Sequence, residues 1–382
     1  MRILILGGDG YLGWPTAMHL SSLGHDVMAV DNYLRRNLSQ SINVEPLTCV
    51  PNLHERTRIW EEKTGHRITP EIGDILDWSF ISRIFQQFVP DTIIHYAEQP
   101  SAPYSMLNRN AASLTIHNNV GATANVIFAT HEFCPDAHII KLGTMGEYGT
   151  PNIDIEEGWL EIKHKGRRDK FLYPRQASSL YHTTKIMDTD LLWFYVRTWD
   201  LRVTDLMQGP VYGIFTEESR IHSELAPFFS YDEIFGTVLN RFIVQAAVEH
   251  PLTVYGSGEQ IRGYLNIQDT INCVRLSLEN PAESSELRVF NQFTETFSVR
   301  ELAGMVQEAS HSLGLNVTIN NIENPRKEQE EHYYNPSHTG LIDLGLKPNL
   351  LTQDTLIELL EYALSHRERI HKHKFFRNTK WN

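Results

Sequence analysis

The sequence predicts an α/β fold, a doubly wound parallel sheet with a smaller mixed α/β substrate-binding lobe. Three observations predict it. A glycine loop stands between an apolar run and an amphipathic segment at the start of the chain. Apolar runs then alternate with helix-length amphipathic stretches as far as Leu206. Past Gly209 the rhythm turns mixed, with shorter runs.

The first unit carries the most information. Arg2 to Leu6 is a short apolar strand, followed by Gly7, Gly10 and Gly13. Ala17, Leu20 and Leu23 recur at helical spacing, Gly24-His25 breaks the helix, and Asp26 to Val30 forms a second strand ending in Asp31. Strand, glycine loop, helix, strand and acid make a Rossmann-type dinucleotide-binding βαβ unit. Gly7 permits the tight turn, Gly10 lets a pyrophosphate approach the backbone and helix N-terminus, and Gly13 lets helix and strand pack closely. Asp31, eighteen residues after Gly13, is placed to bind both ribose hydroxyls. Its charge repels a 2'-phosphate, so NAD is expected rather than NADP. The cofactor-binding set read from this region is Gly7, Asp9, Gly10, Tyr11, Leu12, Gly13, Asp31, Asn32 and Arg35.

The remaining elements follow in order. Residues 51–66 carry charges spaced as on a surface helix, so the stretch after Asp31 reads as an insertion. A strand over Ile68–Ile72 leads to Asp74 and Ile75, where a strand end can meet an adenine ring. A helix over Trp78–Phe88, a strand over Thr92–Tyr96, a helix over about 111–131 and a strand over His138–Leu142 continue the alternation. A long helix over about 179–198 and a strand over Arg202–Leu206 complete it. Residues 151–176 pair acidic and basic runs and read as a hairpin-like insertion beside the site, with a lid or a solvated surface loop as its two readings. The division expected is a dinucleotide-binding domain over 1–208, with a segment near 236–275 returning to it, and a substrate-binding lobe over 209–235 and 276–382.

Composition bounds the function. Of 382 residues, 41% are apolar and 21% charged, ordinary for a water-soluble globular chain, and the net charge of -13 argues against nucleic acid or an anionic membrane as partner. Cys49, Cys134 and Cys273 lie far apart without metal-ligand spacing, so no metal site is expected. No apolar run reaches membrane-spanning length. The first strand begins at residue 2, which reads as a cytoplasmic chain or one freed of a targeting peptide.

Tyr181 and Lys185 stand at i and i+4, facing the same way on a helix. A nearby ammonium is expected to lower the phenol from its usual value of about 10, so that Tyr181 can take a hydroxyl proton as hydride leaves the carbon. Lys185 can also bind the nicotinamide ribose. Thr144, at a strand end, can hydrogen-bond the same hydroxyl. Glycine loop, strand-end Thr and Tyr-Lys pair, in this order, resemble the extended short-chain dehydrogenase/reductase family of nucleotide-sugar enzymes. That resemblance implies Asn119 and Gln208 beside the cofactor. It also implies a nucleotide-sugar site drawn from Gln99, Tyr104, Thr144, Met145, Gly146, Gln208, Arg241, Thr253, Tyr255, Gln260, Arg262 and Arg326. Arg262 and Arg326 offer planar forks to phosphate.

Family 4,6-dehydratases carry Thr-Asp-Glu where this chain has Thr144-Met145-Gly146, so an ordinary dehydratase is disfavoured while a simple 4-epimerase survives. The run Gly143 to Gly158, Ser101 to Met106, Asn291 to Glu295 and Glu331 to Asn335 resemble the sulfoquinovose synthase branch of the family. The resemblance implies UDP-glucose and sulfite as substrates, NAD reduced and reoxidised within one turnover, and a homodimer paired through two long helices. It implies His182 as acid/base for the C5–C6 steps, with Glu147 a further catalytic candidate or a structural acceptor. One departure stands out: Pro100 occupies the place of an arginine in that branch and offers neither charge nor N–H. The alternatives are a UDP-hexose 4-epimerase, an enzyme using another C6 nucleophile, or a non-catalytic nucleotide-binding scaffold.

Overall fold

The computed structural model describes residues 1–324 and 333–376. Its centre is a seven-stranded, wholly parallel sheet. The elements run β1 (Arg2–Leu6), α1 (Gly13–Ser22), β2 (Asp26–Asp31), α2 (Leu34–Ser41), α3 (Leu53–Thr64), β3 (Ile68–Ile72), α4 (Trp78–Phe88) and β4 (Thr92–His95). Then come α5 (Ala102–Ser105), α6 (Arg109–Phe133), β5 (His138–Thr144), the hairpin β6 (Trp159–His164) and β7 (Arg167–Leu172), α7 (Leu180–Trp199), β8 (Arg202–Gln208) and β9 (Val211–Tyr212). The chain continues through α8 (Val238–Ala247), β10 (Leu252–Tyr255), β11 (Ile261–Asn266), α9 (Ile267–Glu279), β12 (Glu286–Gln292), β13 (Glu295–Ser298), α10 (Val299–Ser312), β14 (Ile319–Ile322), α11 (Gly340–Asp343) and α12 (Gln353–Ser365).

The sheet order is β12-β8-β5-β4-β1-β2-β3. β1 pairs with β2 on one side and β4 on the other, so the chain reverses its winding there. In such a sheet the crevice opens beyond the carboxyl ends of those two strands. Strands buried on both faces need apolar residues without alternation, and Ile3, Leu4, Ile5 and Leu6 are all fully buried. α4, α6 and α7 cover one face through residues such as Phe85, Val126 and Leu192. α1, α3 and α9 cover the other through Trp14, Trp60 and Val274. Two caps set the starts of the long helices. The Asn108 side chain accepts from the Ala111 amide at 3.0 Å, and Ser179 Oγ accepts from the His182 amide at 3.2 Å. The second cap places Tyr181 and His182 in the first turn of α7.

The predicted α/β architecture is the observed one, but the domain division needs correction. β12 lies within residues assigned to the lobe, yet it closes one edge of the central sheet by pairing with β8 from Glu286↔Arg202 to Gln292↔Gln208. An edge strand whose partner lies far back in the chain leaves no local signal of where it pairs. Conversely, α8 and β10, placed in the returning segment, pack in the lobe core with α10 and α12 through Phe242, Val254, Val306 and Leu360. The segment that returns to the sheet is therefore α9 with β12. The 151–176 insertion is a hairpin, with Trp159 paired to Leu172 and His164 to Arg167. It is seated on α7, where the Trp159 and Trp193 rings lie 4.9 Å apart. None of its residues reaches the crevice, so it is not a lid over it. Among the described residues no helix is long and apolar enough to cross a membrane.

Candidate active site

The crevice is a cavity of about 760 Å³ that runs from the glycine loop to the first turn of α7. At one end are Gly7, Gly10, Tyr11, Leu12, Gly13 and Asp31. Gly7 has φ of 89°, and a Cβ on Gly13 would come within 2.0 Å of the Gly7 carbonyl oxygen. The loop thus leaves an open backbone cradle at the N-terminus of α1, which suits a pyrophosphate. The Asp31 carboxylate accepts from the Asp9 amide at 2.9 Å and the Tyr33 amide at 2.7 Å. Burial, and then the nearby Asp9 carboxylate, push its carboxyl up to about 6. These features fit the ribose and diphosphate of NAD.

At the other end stand Thr144, Met145, Gly146, Tyr181 and His182. Gly146 has no side chain because the His182 imidazole fills that space: a Cβ there would lie 2.4 Å from Nε2. Ser178 Oγ lies 3.5 Å from His182 Nδ1 on the far side of the ring. Thr144 Oγ1 accepts from the Gly146 amide at 3.2 Å, which fixes the hydroxyl at the end of β5.

Lys185 does not sit as the spacing suggests. Its Nζ donates to the Leu142 carbonyl and pairs with Glu98 Oε1 at 2.6 Å, one layer behind the cavity wall. It lies 6.0 Å from the centre of the Tyr181 ring. Burial pushes the Tyr181 phenol well above its ordinary value, and Glu98 adds to the rise while Lys141 opposes it. The expected lowering is therefore not what this arrangement produces: burial outweighs the nearby cations, and Glu98 pairs with the ammonium that was to cause the lowering. Glu147 is likewise off the wall. It is fully buried, accepts from the Thr144 amide at 3.3 Å and pairs with Lys141 at 3.4 Å. Lys141 also donates to Thr189 Oγ1 at 2.7 Å and lies 3.4 Å from Asp205. Burial works against the Lys141 ammonium, but Asp205 and Glu147 together raise it above the usual lysine value. This cluster ties β5 and β8 to α7 beneath the site. Glu147 is a structural acceptor, as its second reading allowed, and not a catalytic group.

Over residues 3–291 the chain matches the NAD dependent epimerase/dehydratase family. The chain belongs to that family. It is 51% identical over 380 residues to a chloroplastic UDP-sulfoquinovose synthase of Spinacia oleracea, covering all of this chain and 79% of that protein. It is 44% identical over 384 residues to a UDP-sulfoquinovose synthase of Sulfolobus acidocaldarius, covering all of this chain and 98% of the relative. Among solved structures, UDP-glucose 4-epimerase from Thermotoga maritima with UDP-glucose shares the fold, with a TM-score of 0.71 at 20% identity over 95% of this chain and 98% of that one. The Bifidobacterium longum UDP-glucose 4-epimerase in complex with NAD+ and UDP matches with a TM-score of 0.71, 20% identity and coverage of 96% and 98%. This family member is an NAD-dependent enzyme of nucleotide sugars.

Of the positions the family resemblance supplied, Gln208 and Arg262 line the cavity, with Arg262 Nη1 donating to its own Ile261 carbonyl at 2.7 Å. Others stand behind it. Asn119 is fully buried and holds the Gln99 amide at 2.8 Å, so it positions the wall while its neighbour Asn118 lines it. Gln99 is spent on the Thr115 hydroxyl and the Ser101 backbone. Asp9 is ion-paired to Arg36 and Arg56. Asp74 turns back to the Leu76 amide, while Ile75 reaches the cavity. Tyr104 stacks on Phe235 at 6.1 Å. Arg241 lies over the Tyr255 ring and donates to the Thr253 carbonyl at 3.4 Å; none of these three, nor Gln260, lines the cavity. Arg326 lies outside the described residues. Asn32 and Arg35 do line it, the Arg35 guanidinium lying 3.5 Å from the centre of the Phe235 ring and donating to Ser230 at 2.8 Å. Residues the sequence reading missed are Glu98, Asn118 and the lobe's Phe228, Ser230 and Glu233. For Asn118 the helix periodicity of α6 was the available signal; the loop residues had none.

Proposed function

We propose that the protein converts UDP-glucose and sulfite to UDP-sulfoquinovose through a 4-keto-5,6-ene sugar. The observation that carries this reading is His182 standing in the space that Gly146 vacates, at the strand end where family 4,6-dehydratases place carboxyl groups. Gly7, Gly10, Gly13 and Asp31 would hold NAD, which would supply a reversible hydride acceptor for the sugar's C4. The protein's own groups move the protons. Tyr181 takes the O4 proton while the Thr144 hydroxyl orients O4. The resulting ketone acidifies C5–H, and His182 takes that proton and delivers one to the departing C6 oxygen. The C6 oxygen leaves as water; bisulfite then adds through sulfur at C6 while its proton reaches C5 by way of His182, and once hydride is back on C4 Tyr181 returns the proton to O4.

Pro100 favours a second reading. It lies on the cavity wall and puts no cation there to meet sulfite, which leaves UDP-hexose 4-epimerisation as the competitor. Incubation of the protein with UDP-glucose, with and without sulfite, separates the two. Mass spectrometry of a sulfonated UDP-sugar formed only with sulfite supports the first; UDP-galactose alone overturns it. The assembly we propose is a homodimer paired through α6 and α7, supported by Ile116, Phe128, Met187 and Phe194, which are 42%, 42%, 42% and 50% exposed. Light scattering at the monomer mass would refute it.

A further inference from the structure

A dinucleotide carries two ribose diols, and the cavity wall carries a carboxylate at each end of the stretch that would hold them. Asp31 stands at the end of β2. Glu98 stands three residues past the end of β4, the strand on the other side of β1. The Glu98 side chain is 3% exposed. Its ion-pair partner is Lys185 at 2.6 Å, the Asp188 carboxylate is a second buried charge nearby, and apart from the Lys185 ammonium neither oxygen has a hydrogen-bond partner among the described residues.

Two other buried carboxylates are placed differently. Glu147 and Asp205 sit behind the wall, and Lys141 and the Thr189 hydroxyl bond them. Glu98, by contrast, faces the cavity with acceptor capacity to spare beside Tyr181. A vicinal diol offers two O–H donors to a carboxylate, and the Lys185 ammonium, anchored on the Leu142 carbonyl, holds that carboxylate in place. We infer that Glu98 is the second ribose anchor: it accepts from the hydroxyls of the nicotinamide ribose, as Asp31 does from those of the adenosine ribose. It is a cofactor-positioning residue, and it ties Lys185 to the cofactor rather than to the Tyr181 phenol.

The test separates the two riboses by using two probes. NAD carries both, whereas ADP carries the adenosine ribose alone. Calorimetry on the full-length chain, after exchange of bound nucleotide, gives Kd for each. For Glu98→Gln the expected result is about a tenfold weaker Kd for NAD, the loss of one charge-assisted hydrogen-bond set, with ADP unchanged. Asp31→Asn is expected to weaken both. Glu98→Asp, which keeps the charge on a shorter stem, should show the same NAD-against-ADP split at reduced size, and it serves if the Gln variant does not fold. Equal losses for NAD and ADP would mark Glu98 as a structural counter-ion and overturn the inference, as would unchanged NAD binding in both variants. No sugar or sulfite enters the measurement, so its outcome is independent of the reaction proposed above.

Discussion

The Gly146→Ala variant isolates the role of His182. A Cβ at residue 146 would meet the imidazole Nε2 at 2.4 Å, where ordinary contact begins near 3.4 Å. The ring must therefore retreat by about 1 Å, and a reacting group misplaced by that much typically costs about 100-fold in rate. The fold should not suffer. The backbone of Gly146 lies outside the left-handed region, and the atoms to be moved are the far edge of a side chain in the first turn of α7. Tyr181 and Thr144 keep their places, so the oxidation at C4 should survive. The assay has two readouts on one protein. Rapid mixing with UDP-glucose reports NADH absorbance, which is expected within about threefold of wild type. Sulfite-dependent product formation, followed by mass spectrometry, is expected to fall about 100-fold. Wild-type product formation in the variant would refute His182 as the C5–C6 group. An equal fall in both readouts would show instead that the alanine disturbs the whole site.

Two further perturbations probe the support beneath the cavity. Lys141→Met leaves Glu147 and Asp205 fully buried without their shared cation, which should cost about 3–5 kcal/mol in urea unfolding; a loss under about 1 kcal/mol would mean the cluster does not hold α7 to the sheet. His138 is buried against Thr204 Oγ1 at 2.9 Å, and burial, then Arg202 and Arg288, bring its imidazole down to about 3. Its folded value lies below the unfolded value of about 6.5, so below that pH the unfolded chain binds a proton that the native chain refuses, and stability falls as pH falls. Relative to pH 7.5, His138→Gln should therefore regain about 1.4 kcal/mol against wild type at pH 5.5, and parallel stability curves for the two proteins would contradict this.

What could be read from sequence was what local spacing determines. Gly7, Gly10, Gly13 and Asp31 lie within one βαβ unit, and the turn, the helix start and the strand end fix where each one points. Tyr181 and His182 were legible because Ser179 starts a helix whose first turn must follow β5. Positions carried over from the family were less secure. Gln99, Asn119, Arg241 and Thr253 do not line the cavity, and each contacts a neighbour from another element or turn. The Tyr-Lys spacing gave a correct helix and an incomplete electrostatics. Whether an ammonium activates a phenol depends on what else claims it, and Glu98 comes from a loop 87 residues before Lys185. The edge strand β12 escaped for the same reason: its pairing with β8 is a long-range fact.

The end of β5 shows how a site can be read from residues that are missing. Gly143 and Gly146 flank Thr144 and Met145, and at face value Gly146 marks chemistry that has been lost. The neighbours say otherwise. A Cβ on Gly143 would fall 2.4 Å from Asp205 Oδ1, the carboxylate that holds Lys141 and through it the backbone of Lys185. A Cβ on Gly146 would fall on His182. Each glycine makes room for a polar group delivered by another element, one for support and one facing the cavity. A carboxyl at residue 146 and an imidazole at residue 182 compete for one volume. A chain that restored the acid at residue 146 would have to expel the histidine, so the glycine and the histidine are a single choice. That choice replaces a carboxyl at the strand end with an imidazole from the first turn of α7.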